Sequence, residues 1–110
     1  MSEIITNETG GKQSKIAGMI TEIPPLGLIE VSGVMALGSV NYPREDNGSP
    51  NWHKIDCMSN LDHAMEHVFT FLAERNKPIS DFDKMKEELS HFAARALMAM
   101  EMFIKEEYNG

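Results

Sequence analysis

Cysteine is nearly missing from this chain. Cys57 is alone among 110 residues, so an internal disulfide is excluded, and a lone thiol makes no zinc framework of spaced cysteines. Long apolar runs are missing too, none approaching the ~20 residues a bilayer crossing needs, and the opening Met-Ser-Glu-Ile-Ile-Thr-Asn has no basic stretch leading into an apolar one. These absences predict a cytoplasmic protein that does not engage a membrane. Basic residues are the third shortage: ten Lys and Arg against seventeen Asp and Glu give a net charge of −7. Nucleic acids are held largely by cations on their phosphates, so DNA and RNA are not the expected partners. An acidic protein still meets a nucleotide when a divalent cation lies between carboxylates and phosphates. Also missing are a Ser-His-Asp triad, a phosphate-cradling glycine loop, a Gly-x-Gly-x-x-Gly turn and any period-2 alternation of the kind strands show.

What is present reads as helix. With 42% hydrophobic residues the chain supports one core. Residues 1–20 mix Gly10-Gly11 with Ser, Thr, Asn and Lys at no sustained period, which predicts a disordered tail ahead of a single helical domain over 21–110. Pro24-Pro25 opens a first helix to about residue 42, with Leu26, Ile29, Val34, Met35 and Leu37 as its apolar positions and Gly27, Gly33 and Gly38 weakening it. Residues 43–50 are turn-forming and charged, and predict an exposed loop. Ser59 with Asp62 forms a capping signal for a second helix ending near Arg75, whose stripe is Leu61, Met65, Val68, Phe69 and Leu72. Ser80 with Asp83 repeats the signal for a third, striped by Phe82, Met85, Leu89, Phe92, Ala93, Ala96, Met100 and Phe103 to near Glu107. The expected fold is all-α: a small bundle of three main helices, the last two an antiparallel hairpin. Helices apolar on two sides, with nine methionines, predict self-association into a homo-oligomer.

Polar residues recur on these helices at spacings that suit a site. Asp62 and Glu66 are four apart, as are His63 and His67; on the third helix Glu87 and His91 are four apart, and Glu88, His91 and Arg95 follow i, i+3, i+7. Packed antiparallel, these helices would bring carboxylates and imidazoles together, with Glu30 arriving from the first. Hard divalent ions favour such oxygen-rich sets, so Mg²⁺ or Mn²⁺ is the expected cofactor, and a carboxylate left off the metal would orient or deprotonate a water. The same residues are ordinary helix-surface and cap residues, and that bland reading weighs equally for any one of them. His63-Ala64-Met65-Glu66-His67 has the H-x-x-E-H spacing of inverted zinc proteases, but the chain leaves little room for a peptide cleft or a third ligand. Glu88-Leu89-Ser90-His91 fits the Glu-x-x-His element of di-iron bundles without the second copy those need.

The order of several segments resembles the dATP/dGTP diphosphohydrolase N-terminal-type domain common in phages, related to the MazG-like all-α nucleotide pyrophosphohydrolases. The carriers span about residues 24–102: Pro24-Pro25 leading to Glu30, Gly38-Ser39-Val40-Asn41-Tyr42 resembling Gly-Ala-x-Lys-Tyr, Asn51-Trp52, the segment from Leu61 to His67 resembling a helix ending in Arg-His, and Leu89-Ser90-His91-Phe92-Ala93-Ala94-Arg95 resembling Leu-Ala-His-Ala-Ala-x-Asn. The resemblance implies magnesium-assisted cleavage of a purine dNTP between its α and β phosphates, giving dNMP and pyrophosphate, in the host cytoplasm if the protein is phage-encoded. It maps metal ligands to Glu30, Asp62, Glu66, Glu87 and Glu88, and catalytic roles to Glu66, Glu88 and His91. Substrate contacts map to Tyr42, Asn51, Trp52, His67 and Arg95.

Asn41 stands where that family has lysine, Glu66 where it has the arginine before His67, and Arg95 where it has asparagine, and the loop between Tyr42 and Asn51 is long. Lost basic residues remove partners for phosphate oxygens. Tyr42 and Trp52 also read as aromatic anchors of a loop. Two other classes therefore stand beside the enzyme: a non-catalytic nucleotide binder with a sequestering or regulatory role, and a helical interaction or inhibitor module.

Overall fold

The structure is a computed structural model and describes residues 4–6, 10–14 and 18–109. Its packed part is all-α. Two three-residue strands, β1 (Ile4–Thr6) and β2 (Lys12–Ser14), pair antiparallel ahead of the helices, with Ile5 opposite Gln13. Strands this short carry no readable alternation, so sequence patterning gave no sign of them, and a two-stranded ribbon of this size is marginal by itself. The other residues of the expected tail, 1–3, 7–9 and 15–17, lie outside the described residues.

A short 3₁₀ turn over Ile20–Glu22 leads to α1 (Pro25–Asn41), which begins at the second proline because a ring nitrogen costs nothing in the first turn. The loop after α1 closes on itself: Gly48 N–H donates to Glu45 O, and Gly48 takes φ +84°, which a side chain would resist. A second 3₁₀ turn, Asn51–Lys54, precedes α2 (Cys57–Arg75). The cap of α2 is Asp56, whose carboxylate accepts from Ser59 N–H at 2.8 Å, so the helix starts ahead of the expected Ser59 signal. Likewise α3 (Phe82–Asn109) is headed by Asp81 rather than Ser80, Asp81 Oδ1 accepting from Lys84 N–H.

The element that organises the rest is α3, packed against α2 on one side and α1 on the other, while α1 and α2 make little direct contact. The α2–α3 seam is built from small residues and polar rungs. Ala64, Ala94 and Ala99 are buried, as is Val31 on α1. Asn60, His67 and Glu74 stand seven apart on α2 and meet partners that descend by seven, Arg95 and Glu88 on α3 and Asp81 at its head. Arg95 Nη1 donates to Asn60 Oδ1 at 3.2 Å, His67 Nδ1 lies 2.8 Å from Glu88 Oε2, and Asp81 N–H donates to Glu74 Oε2 at 3.2 Å. Seven residues are close to two helical turns, so the three pairs lie on one line down an antiparallel hairpin.

This arrangement departs from what the apolar stripes suggest. Of the stripe residues, Leu61, Met65, Phe69 and Leu72 on α2, and Phe82, Leu89, Met100 and Phe103 on α3, remain substantially exposed in the single chain, whereas Val68, Met85, Phe92, Ala93 and Ala96 are half-buried. Periodicity identifies a face that should be covered; it does not say by what.

Candidate functional site

The middle rung of the hairpin pairs an imidazole with a carboxylate. His67 on α2 is 27% exposed and Glu88 on α3 is 19% exposed, so the pair is partly shielded yet open to solvent. With Nδ1–H donating to Glu88 Oε2 at 2.8 Å, His67 is fixed in one tautomer and ring orientation, and Nε2 is the acceptor nitrogen of the neutral ring. His91 lies one turn beyond Glu88 on α3, and its ring sits 5.0 Å from that of His67, tilted 31°. Glu87 Oε1 lies 4.0 Å from His91 Nε2 on the exposed rim. An imidazole oriented by a carboxylate beside a second imidazole is a general-base arrangement with a second group placed for proton transfer or anion contact.

Of the residues expected in a site, His67, Glu88, His91 and Glu87 therefore come together. Arg95 stands on the next rung, two turns along α3, with its guanidinium on buried Asn60. Asp62 and Glu66 lie on the exposed flank of α2. Glu30 belongs to the other interface of α3, where Lys86 Nζ is 3.7 Å from its Oε1. Tyr42 ends α1 and is largely exposed, and Asn51 opens the second 3₁₀ turn. Trp52 packs edge-on to His53 at 4.2 Å, with Lys105 Nζ 5.5 Å from its ring. Lys105 is fourteen residues past His91 on α3, about 21 Å along the helix, so Trp52 anchors the connecting segment at the far end of the hairpin in this chain. Cys57 N–H donating to Glu106 Oε1 ties down the same end.

Among the described residues no group of three or more His, Cys, Asp or Glu converges to hold a metal ion. The titratable side chains that do gather across α2 and α3 are those of the His67–Glu88–His91 cluster. Sequence reasoning missed Asn60, which is fully buried and holds three bonds: its amide donates to Ile55 O and Asp56 O, and its oxygen accepts from Arg95. The signal was the polar repeat at 60, 67 and 74 beside an apolar stripe.

Among the described residues two carboxylates have clearly shifted acidity, and both are structural. Ser59, through its backbone N–H first and its hydroxyl second, holds Asp56 below its ordinary value. Glu74 is held low by Lys77 above all, then by the Asp81 N–H, with Lys84 also nearby. Glu74 accordingly clamps the turn between α2 and α3.

The comparison with protein families finds one described as dATP/dGTP diphosphohydrolase, N-terminal, matching residues 7–109. Comparisons with curated proteins and with solved structures give no match. No helix among the described residues is long and apolar enough to cross a membrane.

Proposed function

The chain belongs to the dATP/dGTP diphosphohydrolase N-terminal family, and from that premise we propose that it is a nucleotide pyrophosphohydrolase acting on a purine dNTP at the His67–Glu88–His91 cluster. The observation that carries the reading is the 2.8 Å contact between His67 and Glu88 across the two helices. Glu88 orients His67 so that the neutral ring takes a proton from water. The water oxygen attacks the α-phosphorus, the bond from that phosphorus to the α–β bridging oxygen breaks, and dNMP and pyrophosphate leave. His91, beside His67, is placed to contact the phosphate or return the proton to the leaving group. Mg²⁺ or Mn²⁺ enters this scheme with the nucleotide as part of the substrate, because magnesium is commonly carried on phosphate oxygens with few protein ligands.

A second reading is favoured by a specific observation: the cations nearest the cluster are already engaged, Arg95 by Asn60 and Lys86 by Glu30. A chain with few free cations for three phosphates suits a nucleotide binder that does not turn substrate over. Incubation with dATP, dGTP and the pyrimidine dNTPs, with Mg²⁺ or Mn²⁺, separates the two. Pyrophosphate and dNMP from the purine nucleotides support the enzyme. Retained intact nucleotide with a raised Tm supports the binder, and no thermal response to any nucleotide refutes both.

A further inference from the structure

We infer that the Asn60–Arg95 rung seats the pyrophosphate end of the nucleotide, with Arg95 contacting its phosphate oxygens and Asn60 acting as the positioning residue that aims the guanidinium. This assignment rests on the hydrolase reading above and extends it one rung along the hairpin. Glu88, His91 and Arg95 lie within about 60° of one another round α3, and Arg95 is one turn, ~6 Å, beyond His91. Cα–Cβ bonds tilt toward the N-terminus of a helix, so Arg95 leaves its backbone in the direction of His91. From an α-phosphorus at the His67 base, the two phosphates that depart together reach toward this charge.

The charge on Arg95 is held but not neutralised. Lys54, Lys77, Lys84 and Lys86 are exposed, and each has a carboxylate partner. Arg95 is half-buried, and among the described residues its partner is the neutral amide of Asn60, although the protein carries −7. A cation partly withdrawn from water ordinarily takes a counter-charge. Asn60 uses one of five N–H donors, so the remaining fork is open to phosphate oxygens, which it matches two at a time. Arg95 stands where the family has asparagine, so this charge is the chain's own.

Asn60 is fully buried, and its orientation is forced. Its amide nitrogen gives one hydrogen to Ile55 O at 3.2 Å and one to Asp56 O at 3.1 Å, which leaves Oδ1 to face Arg95. Turned the other way, the amide would press its oxygen against two carbonyls. A neutral acceptor fixed in this way holds the guanidinium still without cancelling its charge, which an aspartate would do.

Calorimetric titration with inorganic pyrophosphate and equimolar Mg²⁺, in the absence of nucleotide, is expected to show binding to the wild-type chain. Arg95→Gln is expected to weaken it about tenfold or more, and Arg95→Lys by less, since an ammonium keeps the charge without the fork. Asn60→Ser keeps the guanidinium but lets it swing, and is expected to weaken pyrophosphate binding about threefold. dAMP lacks these phosphates and should behave alike with wild type and variants, whereas a defect of the fold alone would move both ligands. Lys54→Gln removes the same unit of charge elsewhere and leaves pyrophosphate binding intact. Should Asn60→Ser fail to fold, the two Arg95 variants decide. Wild type that binds no pyrophosphate, binding indifferent to Arg95→Gln, or an equal loss in Lys54→Gln overturns the proposal. Because no titration depends on turnover, the two readings separate. Arg95-dependent pyrophosphate binding without dNTP hydrolysis keeps the seat and removes the hydrolase, while hydrolysis with a KM unaltered by Arg95→Gln keeps the hydrolase and removes the seat.

Discussion

His67 serves two ends with one side chain. It fills a rung of the helix seam and, oriented by Glu88, is the base of the proposed hydrolysis. Glu88→Gln keeps the shape of the carboxylate but removes the charge that orients and supports the imidazole, so kcat for purine dNTP hydrolysis should fall by about a hundredfold or more with unchanged circular dichroism. Glu74, by contrast, is purely architectural. Its acidity is raised in the folded chain, so its stabilising effect is complete above the ordinary value near 4.5 and is lost as pH falls through the lower folded value. Urea unfolding of wild type and Glu74→Gln should therefore differ most near neutrality and converge as the pH drops below 4.5, wild type losing its advantage. A gap unchanged down to pH 2 would contradict this account. The two glutamates are only fourteen residues apart and look alike in the sequence; what separates them is what stands opposite, and that requires the pairing of the helices to be known.

At the scale of elements, the helices were legible because their punctuation is strong. Pro24-Pro25 fixed the start of α1, and Asn76-Lys77-Pro78 forced the turn between α2 and α3. The caps were misplaced because Ser59 and Ser80 have cap chemistry, while Asp56 and Asp81, three residues before a free N–H, have better geometry. Less legible was the seam. The apolar stripes drew the eye, whereas small and polar residues make the contact between α2 and α3, since alanines allow close approach and each polar group finds a mate. Asn60→Ala should cost about 2–3 kcal/mol in chemical denaturation, because it strands the Arg95 guanidinium in a partly buried place and removes the side-chain donor to Ile55 O, while Asp56 O keeps the backbone N–H of residue 60. In α1, a methyl group built on Gly33 meets nothing within 4 Å. Gly33→Ala should then stabilise the helix by up to about 1 kcal/mol, read as a higher Tm.

The whole molecule is a layered stack, α1 on α3 on α2, with few apolar side chains fully enclosed. Family membership was legible from the order of short segments, and the gathering of His67, Glu88 and His91 followed from an antiparallel hairpin. The position of Trp52 did not, because a loop of turn-forming residues has no period from which its path can be read. The repeated rungs also act on how the hairpin zips up. If α3 slipped by two turns one way, Glu74 would face Glu88, like against like, and His67 would lose its carboxylate partner to Arg95; slipped the other way, Arg95 and Glu74 would overhang with no mate. Misthreaded pairings are thus penalised at every step, and the alignment that joins His67 to Glu88 is the one in which all three rungs are matched.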